Sequence, residues 1–374
     1  MINKVDVDLL LNHLQALIAF NSENPPRNIN ADHPMINYID KTLSDAGFEV
    51  CIEDYGLGRV NLLCRRGRSP VLFNVHLDTV PASSQWQRHP FQMSIESQRA
   101  YGLGACDIKG AAACLLAIAQ STHGDMAILF STDEEGSDPC CVHRFCESPH
   151  LHEFNRVVVA EPTQCQAVLA HRGFVSVLGK FKGVAGHSSE PRALVDNAIH
   201  RSAQWINAAS VLAADEQQNE HHGYRGLCFN VGAIQGGIKS NVIADAVELR
   251  WSMRQRPLDN VHDCLARITQ AGEVDDVEWL PAFIGPSLPA NEAQWQQAKQ
   301  WLSDSSLPSG KNVNFWTEAS LFSQAGLPAI VLGSGNIAQA HCADEWVAID
   351  ELVTLTLQYQ QILSTAKSPG VGHD

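Results

Sequence analysis

Five residues of this 374-residue chain could bind divalent metal ions: His76, Asp107, Glu135, Glu161 and His341. Two imidazoles and three carboxylates suit zinc first, with cobalt or manganese as alternatives. Hydrolysis by a metal pair needs ions about 3.5–4 Å apart, so one carboxylate has to bridge them. Each ion also needs further N or O donors and an open position. The five residues meet that requirement for one or two divalent ions, with Asp107 as the bridge. Asp78, two residues beyond His76, is placed to orient the ring through its second nitrogen. Glu134, beside Glu135, is available as a general base on a water whose pKa a metal lowers toward about 7.

Each residue alone has a plainer explanation. One His-x-Asp is more often a surface turn, and three acids in a row at Asp133-Glu134-Glu135 are more often a solvated loop. Asp107 could simply cap the helix that follows it, and His341 could be an ordinary loop residue. The elements that carry them are what join them. Val71 to Val75 is largely apolar, runs into His76, and is closed off by Pro81. An apolar run bounded by turn signals reads as a buried strand. A strand buried on both faces belongs to a parallel sheet covered by helices, and such sheets bind ligands beyond the carboxyl ends of their strands. Met126 to Thr132 runs in the same way into Asp133-Glu134-Glu135, and Val157 to Ala160 into Glu161. Asp107 precedes an Ala-rich helix from Ala111 to about Gln120. Ala329 to Leu332 leads through a Gly-rich loop toward His341. All five residues therefore fall on one expected edge.

The remaining pattern sets the architecture. Val7, Leu10, Leu11, Leu14, Leu17 and Ile18 repeat at helical spacing, and Asn24-Pro25-Pro26 stops that helix. Ile36, Ile39 and Leu43 mark a second helix ended by Gly47, followed by strands at Phe48 to Asp54 and Val60 to Cys64. From about Gly173 the texture changes to alternating strands, a helix from about Leu194 to Ala213, a polar loop from Asp215 to Gly223, two more strands and a second helix, an α+β order. After Pro281 the αβ pattern resumes, and Lys367 to Asp374 has the composition of a loose tail. The expected fold class is α/β. A metal-dependent hydrolase domain with a mixed, mostly parallel central sheet flanked by helices occupies 1–172 and 282–374. An inserted α+β lid or dimerisation domain occupies 173–281.

The net charge of −15 argues against nucleic acid or an anionic membrane surface as a general partner. No run approaches the roughly 18 apolar residues of a membrane span. The opening Met1-Ile2-Asn3-Lys4 has none of the features of a signal peptide. Eleven scattered cysteines favour reduced thiols. Together these predict a cytoplasmic protein. Cys140, Cys141, His143, Cys146, His150 and His152 look like metal ligands by composition, but their spacing lacks the paired arrangement of a zinc finger, so they read as incidental.

At these residues the sequence resembles the M20 family of metal-dependent amidohydrolases and peptidases over nearly its whole length. The stretches are Val75-His-Leu-Asp-Thr-Val-Pro81, Gly104-Ala-Cys-Asp-Ile-Lys-Gly110, Ser131-Thr-Asp-Glu-Glu-Gly136, Glu161-Pro-Thr163, His171-Arg-Gly173, Gly183-Val-Ala-Gly-His-Ser-Ser189 and Ala340-His-Cys-Ala-Asp-Glu345. Within the family it most resembles the acetylornithine deacetylases, in particular their acetylcitrulline-deacetylating branch. The resemblance implies that His76, Asp107 and Glu161 hold one metal and Asp107, Glu135 and His341 the other. It also implies Glu134 as the base and Asp78 as the partner of His76. His187, in the lid, would reach the active site of a partner subunit in a homodimer and help hold the oxyanion. Asn241 and Arg254 match positions that contact the substrate carboxylate in relatives. The implied reaction is deacetylation of a small N-acetyl amino acid of arginine biosynthesis. Two departures stand out: Val75 where relatives often carry Gly, and Trp316 where the usual pattern has Gly, which should narrow or reshape the substrate pocket. The alternatives are another M20 amidohydrolase, such as a desuccinylase or dipeptidase, and a metal-binding interaction module without catalysis.

Overall fold

The structure, a computed structural model, describes residues 4–136 and 140–366. The expected tail at 367–374 lies outside them. The chain opens with α1 (Val7–Ala19), whose Asp6 carboxylate accepts the Leu9 N–H, and α2 (Pro34–Asp45), which starts on a proline at a position that has no use for an N–H. Strands β1 (Glu49–Asp54), β2 (Val60–Arg66) and β3 (Val71–His76) follow, then the short β4 (Ser94–Glu96) and β5 (Arg99–Tyr101). Next come α3 (Gly110–Ser121), β6 (Met126–Ser131), α4 (Cys141–Glu147) and β7 (Arg156–Val159). The middle of the chain contains β8 (Phe174–Lys182), α5 (Ala198–Glu216), β9 (Glu220–His221), β10 (Tyr224–Arg225), β11 (Cys228–Gly236), β12 (Ala246–Arg254), α6 (Val261–Thr269) and β13 (Val277–Gly285). It closes with α7 (Glu292–Asp304), α8 (Ala319–Gln324), β14 (Ala329–Val331), β15 (Trp346–Ala348) and α9 (Ile349–Thr365).

The chain forms two compact units. One comprises the residues up to Leu169, Asn291–Lys311 and those from Thr317 on; the other comprises Ala170–Ala290 and Asn312–Trp316. The second unit starts three residues before the expected 173, ends nine after the expected 281, and also takes in Asn312–Trp316. β13 keeps its pairing with β8 as far as Gly285 opposite Phe174, and Leu288 and His171 exchange backbone hydrogen bonds beyond it. Val313 also bridges to His171, which draws the 312–316 segment into the second unit.

The first unit is built on a six-stranded sheet in the order β1-β2-β6-β3-β7-β14. β3 runs parallel to β6 and β7, and β14 parallel to β7, whereas β1 and β2 add an antiparallel side. Every residue of β3 and β6 is buried, as the apolar runs require. In α3, Gly110 through Ala119 are all buried, and a helix covered on all sides has to be apolar on all sides. Its small side chains let it pack against α1, α2 and α9. Three parallel strands at the centre thus end on one edge.

The second unit is an antiparallel sheet, β11-β12-β8-β13, with a core of Phe181, Trp205, Trp251 and Ile268 drawn from strands and helices. β8 and β12 alternate buried with more exposed positions. The segment expected to be a polar loop contains a small hairpin, β9 paired with β10. Its turn residues, His222 and Gly223, have φ of 52° and 80°, the left-handed pair that a tight hairpin turn uses. Two-residue strands are too short to show a hydrophobic period, so composition alone read as loop.

Candidate metal centre

His76 is the last residue of β3, and Glu161 follows β7 by two residues. Glu134 and Glu135 follow the end of β6 by three and four. Asp107 sits in an irregular turn, Ala105–Lys109, directly before α3. His341 lies on the loop between β14 and β15 with a φ of 60°. The parallel strands thus deliver three of the five ligand-type residues, and the turn before α3 and the β14–β15 loop deliver the others. Gly333 allows one close approach: a Cβ there would lie 2.4 Å from the Glu161 carbonyl oxygen.

The ligand atoms of His76, Asp107 and Glu161 all lie within 4.8 Å of one another, and so do those of Asp107, Glu135 and His341. Among the described residues these are the groups of three or more donors that could hold a metal ion. Asp107 belongs to both. His76 Nε2 is 3.2 Å from Asp107 Oδ1 and 3.9 Å from Glu161 Oε1. His341 Nε2 is 3.3 Å from Asp107 Oδ2 and 3.0 Å from Glu135 Oε1. One oxygen of Asp107 therefore faces each histidine, the placement that a bridging carboxylate requires.

The electrostatics fit a cation. Burial opposes charging His76, yet its hydrogen bonds to Asp107 and Asp78 and the charges of Glu134 and Glu161 outweigh it and hold the ring well above the ordinary range. Hydrogen bonds to Asp107 and Glu135 push His341 up to about 10. Burial and mutual repulsion raise Glu134, Glu135 and Glu161. Asp107 is instead held well below the usual carboxylate range, because both histidines donate to it and overcome the cost of burial. Four carboxylates crowd two imidazoles here, a surplus of negative charge that a bound cation would offset. A donor set of N and O with surplus negative charge is suited to divalent zinc, cobalt or manganese.

Asp78 works somewhat differently from the expectation. The nearer contact of His76 Nδ1 is the Asp78 main-chain carbonyl at 3.0 Å, with the carboxylate Oδ1 at 3.5 Å. The Asp78 carboxylate also accepts the Glu134 and Glu135 backbone N–H groups at 3.3 and 3.0 Å, and Asn24 Nδ2 at 2.8 Å. Asp78 thus fixes His76 and the turn that carries both glutamates.

Comparisons with known proteins place the chain in a family. Residues 72–365 match the profile of Peptidase family M20/M25/M40. The chain belongs to that family. It is 43% identical over 347 residues to the N-acetyl-L-citrulline deacetylase of Xanthomonas campestris pv. campestris, covering 91% of this chain and 94% of that one. It is 30% identical over 335 residues to the acetylornithine deacetylase of Pectobacterium carotovorum subsp. carotovorum, covering 85% and 86%. Among solved structures, the M20 family metallo-carboxypeptidase Sso-CP2 of Sulfolobus solfataricus has the same fold, with a TM-score of 0.72, 16% identity, and coverage of 96% and 99%.

The other expected residues lie in the second unit. His187 is exposed, its Nδ1 2.8 Å from Ser189 Oγ. Asn241, also exposed, accepts the Ser188 N–H through its main-chain oxygen at 3.2 Å, and Val242 bridges to His187, so the two residues share one end of the sheet. Arg254 ends β12, with its guanidinium 4.5 Å over the Phe174 ring. β12 (Ala246–Arg254) begins five residues after Asn241 and ends on Arg254, and its length at the usual rise per strand residue is about 27 Å. Trp316 donates its Nε1–H to the Pro286 carbonyl at 3.1 Å and packs edge-on against Phe283.

Sequence reasoning gave no role to two side chains beside the metal centre. Asn24, 3% exposed, supports Asp78 and accepts from Arg27 Nε at 3.3 Å; in the sequence it marked only the end of a helix. Glu318, pushed up to about 8 by burial and the charge of Asp133, accepts from Ser131 Oγ at 3.0 Å. The Cys140–His152 group forms no ligand cluster among the described residues. Cys140 and Cys141 instead donate their N–H groups to Asp133, and His150 pairs with Glu153. All eleven cysteines are free thiols. Among the described residues no helix is long and apolar enough to cross a membrane.

Proposed function

We propose that this chain is a metal-dependent deacetylase that hydrolyses the N-acetyl amide of N-acetyl-L-citrulline or N-acetyl-L-ornithine to acetate and the free amino acid. The observation that carries the proposal is Asp107, which presents one oxygen to each of two histidines. Identity of 43% to an N-acetyl-L-citrulline deacetylase, against 30% to an acetylornithine deacetylase, favours citrulline as the first substrate to test.

In this reading His76, Asp107 and Glu161 hold one divalent ion and Asp107, Glu135 and His341 a second, with zinc the first choice. When bound, such ions polarise an acyl oxygen and acidify a water. Glu134 takes the proton of the attacking water on its carboxylate. The water oxygen bonds to the acetyl carbon, the C–N bond breaks, and Glu134 returns the proton to the departing amine. Burial and neighbouring carboxylates raise the proton affinity of Glu134, which suits a group that must hold a proton between two steps.

His187 would donate a hydrogen bond to the oxyanion, and Asn241 and Arg254 would meet the substrate carboxylate, for which a guanidinium is suited. About 27 Å of strand is too long for Asn241 and Arg254 of one chain to meet on one small molecule. The reading therefore takes Arg254 from one subunit and His187 with Asn241 from the other, in a homodimer. Free thiols are compatible with a cytoplasmic enzyme.

The test is kcat/KM for N-acetyl-L-citrulline and N-acetyl-L-ornithine beside N-succinyl amino acids and dipeptides, before and after chelation. Hydrolysis of an acetyl substrate that chelation abolishes and zinc restores is the expected result. Preference for a succinyl substrate or a dipeptide overturns the assignment.

A further inference from the structure

Glu345 is 2% exposed and lies four residues beyond His341, directly before β15. Its Oε2 accepts the Gly104 N–H at 2.8 Å, and its Oε1 accepts the N–H groups of Cys106 and Asp107 at 2.8 and 2.9 Å. Its main-chain carbonyl accepts a fourth, from Gly102, at 3.0 Å. One residue thus gathers the loop that carries Asp107 and ties it to the loop that carries His341. The arrangement is costly, because a buried carboxylate stands beside the carboxylate of Asp107 in a low-dielectric setting. A neutral side chain could cap one or two of these N–H groups without adding charge. What the Glu side chain adds is one rigid fork whose two oxygens accept all three N–H groups at once.

The two ligand groups depend on this clasp unequally. His76 and Glu161 are fixed by neighbouring interior strands, β3 and β7, whose own pairing holds them. His341 sits on a loop at positive φ with 53% of its side chain exposed. Its register against Asp107 is set where Glu345 crosses between the loops. We propose that Glu345 is a positioning residue that holds Asp107 and His341 in register, so that it governs retention of the second metal ion, the one assigned to Asp107, Glu135 and His341, and leaves the first largely untouched. The inference rests on the two-ion reading above.

The experiment uses the full chain stripped of metal and titrated with cobalt(II), read by visible absorption and by bound metal after dialysis. The parent chain is expected to take up two equivalents in two steps. Glu345→Gln is expected to keep the first step and to weaken the second by about 10- to 100-fold, the usual effect of removing a group that orients a ligand. Glu345→Asp, which keeps the charge one methylene short, is expected to recover part of the second step. A Glu345→Gln protein that binds both ions like its parent, or loses both equally, overturns the proposal and leaves the two-ion reading intact. A parent chain that saturates at one equivalent or none brings down the two-ion reading, and the proposal with it. If Glu345→Gln fails to fold, Glu345→Asp is judged by the same two-step criteria.

Discussion

The metal-ligand cluster of the first unit and the His187–Asn241 end of the second are held on opposite terms. His76, Asp107 and Glu161 are buried, and the groups that orient them are themselves buried and hydrogen-bonded: Asp78 to Asn24 and two backbone amides, and Asp107 to both histidines. His187 and Asn241 are exposed and rest on local contacts with Ser189, Glu190 and Ser188. Reacting groups need fixed geometry before substrate arrives, since positions looser than about 0.5 Å lose rate. Groups that only complete a site around its substrate can be held loosely until it is present.

That contrast makes predictions of decreasing size. Glu134→Gln removes the proposed proton carrier from the rigid cluster and is expected to lower kcat by roughly 10²- to 10⁴-fold while metal content stays at the parent level. A metal-replete variant of near-normal activity would remove Glu134 from the mechanism. His187→Ala is expected to lower kcat by about 10²-fold, the lower range for loss of an oxyanion donor, again with metal retained. In the proposed homodimer, mixing it with Glu134→Gln under subunit exchange should restore activity, because one intact site would then form in each mixed dimer. Two inactive variants that stay inactive together would place His187 within its own subunit or outside catalysis. Arg254→Lys keeps the charge and loses the fork, so KM should rise by about 10-fold or more, the equivalent of one hydrogen bond to a charged group, with kcat little changed. An equal loss in kcat would move Arg254 from binding to chemistry.

Legibility in the sequence followed the same divide. The apolar run of β3 announced His76 because a fully buried strand leaves a continuous hydrophobic signature and a polar residue at its end stands out. The runs into Glu134, Glu135 and Glu161 were readable for the same reason. Asn24 was not, since beside two prolines it marks a helix stop equally well whether or not it touches Asp78. Glu345 was less readable still: the N–H groups it accepts belong to residues 238 to 241 positions earlier, and no local period records that. The hairpin of β9 and β10 escaped because two residues per strand carry no alternation.

The amino-acid sequence by itself determined the class of chemistry and the strands that deliver it, because ligand type is a property of side chains and strand burial is a property of runs. The tertiary structure decided which oxygen of Asp107 faces which histidine, that Asp78 grips the glutamate turn as well as His76, and that His187 and Asn241 share the end of β12 opposite Arg254. These are distances between segments far apart in the chain. They are settled by packing and hydrogen-bond satisfaction across the whole fold, which no window of sequence contains.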